Sequence, residues 1–134
     1  MSNEKKKQYL RRYLVAKRCI DLLLEQIESL RENKMSPSGT LDGMPHGSGT
    51  SDLSGYAARL DELMRELEAE REMQMVTYRE IWNQVKKIPN ATEQEVLTRR
   101  YLIGQSWKKI AVEMHYSYRQ IIRIHGAALQ HFSW

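Results

Sequence analysis

Between Thr92 and Phe132 the chain is cut into three short stretches by residues that start and stop helices, and nothing else in the sequence restricts the fold as tightly. Thr92 followed by Glu95 matches the capping-box pattern, predicting a helix through Val96, Leu97, Tyr101 and Leu102 to a stop at Gly104. Ser106 is the next cap candidate, ahead of Trp107, Ile110, Ala111 and Met114 at helical spacing. Ser117 then caps a third helix with apolar positions at Ile121, Ile124, Ala128, Leu129 and Phe132. A short helix, a tight turn and a longer helix with arginines on its first turns is the layout of a helix-turn-helix reader of DNA.

The rest of the chain predicts two long helices. Residues 3–33 contain neither proline nor glycine, and Tyr9, Tyr13, Ala16, Ile20, Leu23, Ile27 and Leu30 alternate steps of four and three. The second helix is expected from Asp52 or Ser54 to Ile88. Its seam is Tyr56, Leu60, Leu63 or Met64, Leu67, then Tyr78, Ile81, Val85 and Ile88, interrupted by polar Glu70, Arg71 and Gln74. Pro89 ends it. Residues 34–55 are rich in Gly, Ser and Pro and predict a flexible linker. That length leaves two pairings open, an antiparallel hairpin within the chain or a homodimeric coiled coil. The expected fold is therefore all-α, with a helical region over 1–88, its linker at 34–55, and a helix-turn-helix domain over 89–134.

Charge and cysteine use narrow the function. The net charge is +4, distributed as +3 over residues 1–33, −1 over 34–55, −1 over 56–88 and +3 over 89–134. The basic excess at the helix-turn-helix end favours nucleic acid as partner. Cys19 is the single cysteine, so no internal disulfide forms; with no secretory pattern at the N-terminus, a cytoplasmic location is expected. No apolar run is long enough for a bilayer. His46, His115, His125 and His131 lack metal-ligand spacing with Cys or carboxylates, and acidic groups such as Asp61-Glu62 lie in a charge-rich helix. No catalytic residue, metal or cofactor is expected.

On the third short helix the packed positions leave Tyr118, Arg119, Ile122 and Arg123 facing outward. Arginine bonds guanine O6 and N7 in a fork, Ile122 suits a thymine methyl, and Gln120 at the edge suits adenine or a phosphate. Ser106, Lys108, Lys109 and Ser117 are the expected phosphate contacts. Arg99 and Arg100 are further candidates, and Trp107 is expected as a core anchor.

The run from Val96 to Leu129 resembles region four of bacterial sigma factors. The matching frame is Tyr101-Leu102 before Gly104, Ile110-Ala111, Met114 to Ser117, and Ile121, Ile124, Ala128 and Leu129. SWKKIAVEMHYSYRQIIRIHGAAL is similar to small sigma-like regulators of Gram-positive phages and prophages, of the late-activator and autolysin-regulatory type. The resemblance implies base-reading places at Tyr118, Arg119, Ile122 and Arg123, with double-stranded DNA and RNA polymerase as partners in a bacterial host cell. His115 stands where such turns usually have glycine, which predicts a left-handed histidine. Ile122 and Ala127 replace the basic or polar groups frequent in sigma factors, implying a different sequence preference. The chain would not open a promoter alone. A small-terminase-like packaging protein or a polymerase-binding module would use the same motif.

Overall fold

The computed structural model describes the backbone of residues 1–35 and 49–134, with side chains over 1–33 and 53–134. The described residues form an all-α protein. Helix α1 is Asn3–Met35 and α2 is Gly49–Val85. Then come α3, Ala91–Leu97, continued by a π-helical turn over Thr98–Ile103, α4, Trp107–Met114, and α5, Tyr118–His131. No helix among them is long and apolar enough to cross a membrane. Residues 34–35 and 49–55 of the expected linker are helical; 36–48 lie outside the described residues.

The chain divides into two compact units. One unit joins Met1–Lys17 to Met73–Trp134, and the other is Arg18–Glu72. The first will be called the head and the second the hairpin. Each long helix contributes to both units, because the two ends of its seam have different partners. In the head, Leu10 of α1 and Ile81, Val85 and Ile88 pack with Leu97, Tyr101, Leu102, Ala128, Leu129 and Phe132. A second head cluster joins Val96, Ile110, Ala111 and Ile121, flanked by Trp107, Met114 and Ile124. In the hairpin, Ile20, Leu23 and Ile27 pack on Leu63 and Leu67, so α1 and α2 pair within one chain. Leu63 is buried at 2% exposure while Met64 is 44% exposed, which resolves the choice between them.

The seams also carry surprises. Leu10, fully buried, is off the four-three step because it belongs to the head core, where α3, the π-helical turn and α5 pack on it together with Ile81 and Val85 of α2. Buried Thr77 continues the polar interruption at Glu70 and Gln74, which are half-buried. Helix α2 ends at Val85, three residues early, because Lys87 and Ile88 close onto Gln84 and Val85 in a tightened last turn before Pro89.

Local signals explain the other ends. The cap of α3 is Asn90 rather than Thr92: its side-chain oxygen accepts from the amides of Thr92 (2.9 Å) and Glu93 (3.1 Å). Asn caps at least as well as Thr, and α3 begins at Ala91, so Thr92 is already inside it. The π-helical turn closes with the Gly104 and Gln105 amides both on the Arg99 carbonyl, at 3.0 and 2.9 Å. Gly104 has φ +87°, and a Cβ there would meet Leu14 of α1 at 3.3 Å, so both backbone and space require glycine.

Candidate nucleic-acid interface

Helix α5 is built to hold one face in and one face out. Ser117 Oγ accepts the Gln120 amide at 3.1 Å, and Gln120 Oε1 accepts the Ser117 amide at 2.9 Å, a complete capping box. His115 ends α4 with φ 60° and ψ 39°, the left-handed conformation expected of it, and the Tyr116 amide bonds the Ala111 carbonyl at 3.0 Å. Together these set the entry of α5. Ile121, His125, Ala128 and Leu129 are buried on its inner side.

The outer side carries the four expected readers. Tyr118 (53% exposed) and Ile122 (38%) are accessible, and Arg119 and Arg123 are exposed one turn apart. Gln120 is exposed too, but its carbonyl oxygen is committed to the cap, so it lacks the free amide fork that adenine recognition needs. Lys108 and Lys109 are exposed at the start of α4, whose cap Ser106 accepts the Lys109 amide at 3.2 Å. The hydroxyls of Ser106 and Ser117 thus accept backbone bonds while each keeps a proton to donate outward.

Arg99 and Arg100 differ from these. Arg99 pairs with Glu95 at 2.7 Å. Arg100 donates to the Gln105 carbonyl at 3.1 Å and lies over the Trp107 ring at 4.4 Å. Trp107 is half-buried, its ring edge-on to His125 at 4.6 Å.

His125 was not anticipated as a packing residue, although its place four after Ile121 and three before Ala128 puts it in the register of the packed face. Its Nε2 shares a 2.8 Å hydrogen bond with the Tyr101 hydroxyl. Burial first, then the charges of Lys7, Arg100 and Arg11, push its pKa down to about 4. Burial likewise raises the Tyr101 phenol. Both groups are neutral at neutral pH, and the pair is a satisfied polar contact in the head. On another side of α5, buried Glu93 meets His131 at 2.6 Å in an open groove of about 390 Å³ with Thr92 and Tyr116. Among the described residues no three His, Cys, Asp or Glu side chains are grouped to hold a metal ion.

Electrostatics separate the two units sharply. The head holds 15 Lys and Arg against 5 Glu, a net of +10, and the 18–72 unit holds 6 against 12, a net of −6. Within the head Glu4, Glu80 and Glu95 are each already paired, with Lys7, Arg12 and Arg99, and Glu93 is hydrogen-bonded to His131. Arg119, Arg123, Lys108 and Lys109 have no ion-pair partner among the described residues. Comparison with protein-family models, with curated proteins and with solved structures finds no match for this chain.

Proposed function

We propose that the protein is a sequence-specific DNA-binding transcriptional regulator that presents α5 to the major groove. The observation that carries this reading is the pair Arg119 and Arg123, exposed, one turn apart and without an ion-pair partner among the described residues, on a helix whose entry is fixed by a capping box and whose back is buried. Positions four apart rise about 6 Å along a helix, roughly two base steps, and each forked arginine contact to guanine discriminates by about 1–3 kcal/mol. Ile122 and Tyr118 add apolar contact beside them. Lys108, Lys109 and the Ser106 and Ser117 hydroxyls hold the flanking phosphates. The resemblance to sigma region four agrees with this assignment and adds RNA polymerase as a protein partner in a bacterial cytoplasm.

The acidic unit favours a regulator over a protein that coats DNA along its whole length. A net of −6 over residues 18–72 repels a duplex and suits a protein contact. A packaging protein of the small-terminase kind would instead form a ring-sized assembly by light scattering.

Selection of bound duplexes from a random pool, followed by mobility shift, tests the proposal. Wild type is expected to enrich one motif. Arg119→Ala/Arg123→Ala is expected to keep weak, salt-sensitive binding and lose the preference for that motif. Unchanged selectivity in the double variant would remove α5 as the reading helix, and a wild type without salt-dependent duplex binding would remove DNA as the partner.

A further inference from the structure

The first turns of α1 belong to the head and are fastened to the end of α5. Lys6 Nζ donates to the Leu129 carbonyl at 2.6 Å, a cation on the exposed carbonyls of the last turn. Tyr9 stacks on Trp134 with centroids 4.3 Å apart and planes at 9°, and also meets Phe132 at 5.9 Å. Leu10 is fully buried, and Leu14 packs against the Gly104 turn. These contacts hold the segment rigidly on the same body as α5.

Lys7 and Arg11 lie four residues apart on this segment and so share one stripe of α1. The same stripe continues to Leu14, three residues after Arg11, which packs against the Gly104 turn that follows Arg100, so Lys7 and Arg11 lie on the side of α1 turned towards that turn. Their charges and that of Arg100 also act on His125. Glu4 is an acid that acts on Tyr101. It bonds Lys7 at 3.1 Å with its own side chain 70% exposed, and such a surface pair contributes little. Arg11 is exposed and has no ion pair among the described residues. Three cations from two elements therefore lie about the Gly104 turn, Arg100 over the Trp107 ring at 4.4 Å, and of the three only Lys7 has an ion-pair partner among the described residues. Convergent like charge on a rigid surface costs energy in the free protein, and an anionic surface relieves it.

We propose that Lys7, Arg11 and Arg100 form a second rim of phosphate contacts that grips the duplex backbone beside the groove engaged by α5. This rests on α5 reading duplex DNA. It makes the N-terminal segment part of the DNA interface rather than of a separate dimerisation or polymerase module. The occupant is the phosphate backbone by charge complementarity: the rim belongs to the same body of net +10 as Lys108 and Lys109, and its Arg100 lies over Trp107, the residue before Lys108.

Measurement of duplex affinity against salt, using the full chain and the selected motif, tests it. For Lys7→Gln/Arg11→Gln the slope of log affinity against log salt should become shallower by about 1.8, because each lost phosphate contact removes about 0.9. The wild type's advantage over the variant should then shrink about tenfold between 50 and 200 mM salt. Motif preference should be unchanged, and Lys7→Arg/Arg11→Lys should restore the slope. Arg65→Gln, in the acidic unit, should leave it as in wild type. An unchanged slope in Lys7→Gln/Arg11→Gln overturns the rim, whether the stripe then faces solvent or an acidic protein segment. If that result accompanies lost selectivity in Arg119→Ala/Arg123→Ala, the rim fails and the function of α5 stands. If wild type binds no duplex, both fail.

Discussion

The head and the 18–72 hairpin are made in part from the same two helices, yet they are opposite kinds of structure. The head closes α1 and α2 against three further helices around fully buried residues such as Leu10, Ile81, Val96, Ile110 and Phe132. The hairpin has one seam of five buried aliphatics, flanked by half-buried Leu30 and Leu60. Its ion pairs among the described residues, Arg59–Glu62 and Arg65–Asp61, lie within one helix and are exposed, and pairs of that kind add little stability. The head is strongly basic and the hairpin acidic. One continuous helix can therefore serve two bodies of opposite charge, provided its seam residues change partner along its length.

The largest test of this contrast is a core truncation in each unit. Phe132→Ala, at a residue with no exposure that packs among the α1, α2 and α5 contributions, should cost about 3–5 kcal/mol in urea unfolding. Duplex binding should be lost with it, because α5 loses its mount. Leu63→Ala, buried in the hairpin seam, should cost about 2 kcal/mol or somewhat more and leave duplex affinity within about twofold at temperatures where the chain is folded. Equal loss of DNA binding in both variants would show that the two units do not divide the work.

A pH titration probes the head alone. The His125 pKa of about 4 lies below its ordinary value of 6.5. The unfolded chain therefore takes up a proton at His125 before the native head does. The stability contributed by the neutral imidazole is fully present above pH 6.5 and is lost as pH falls towards 4. Its slope approaches about 1.4 kcal/mol per pH unit, up to about 3 kcal/mol in all. Denaturation midpoints of wild type and His125→Gln between pH 7 and 4.5 should converge on acidification, since carboxylate titration is common to both. Parallel curves would mean that His125 titrates normally in the native state.

The parts of this fold that were legible are those written locally. Ser106, Ser117, Gly104 and His115 announce themselves because a cap or a left-handed residue needs only its neighbours. Asn90 is not distinguishable as the cap from local sequence, because Thr92 and Glu95 also satisfy a cap pattern and only the chain path decides between them. The outward places of Arg119, Ile122 and Arg123 follow from the period of α5. Partner choice is not local. A four-three seam says which side of α1 is buried but not that Leu10 meets Phe132 while Leu23 meets the hairpin seam. The charge contrast was hidden for the same reason: residues 1–33 sum to +3, but 1–17 alone hold six cations against one acid. Summing along the chain mixed a basic head segment with an acidic hairpin segment.

The smallest test compares one glycine from each unit, where the same substitution should act with opposite sign. At Gly104 alanine must hold φ +87° and its Cβ meets Leu14 at 3.3 Å. It should cost about 1–2 kcal/mol, with the side chain of Leu14 forced to give way. Gly55 lies inside α2, and a Cβ there meets nothing within 4 Å. Alanine should stabilise by about 0.5–1 kcal/mol through helix propensity and a less flexible unfolded chain. Urea midpoints of the two variants should therefore bracket wild type. Leu14→Ala combined with Gly104→Ala should recover the steric part of the loss but not the backbone part, which separates the two causes. A destabilising Gly55→Ala would mean that this part of α2 is not helical in solution, and the hairpin would then be shorter than Gly49–Val85 implies.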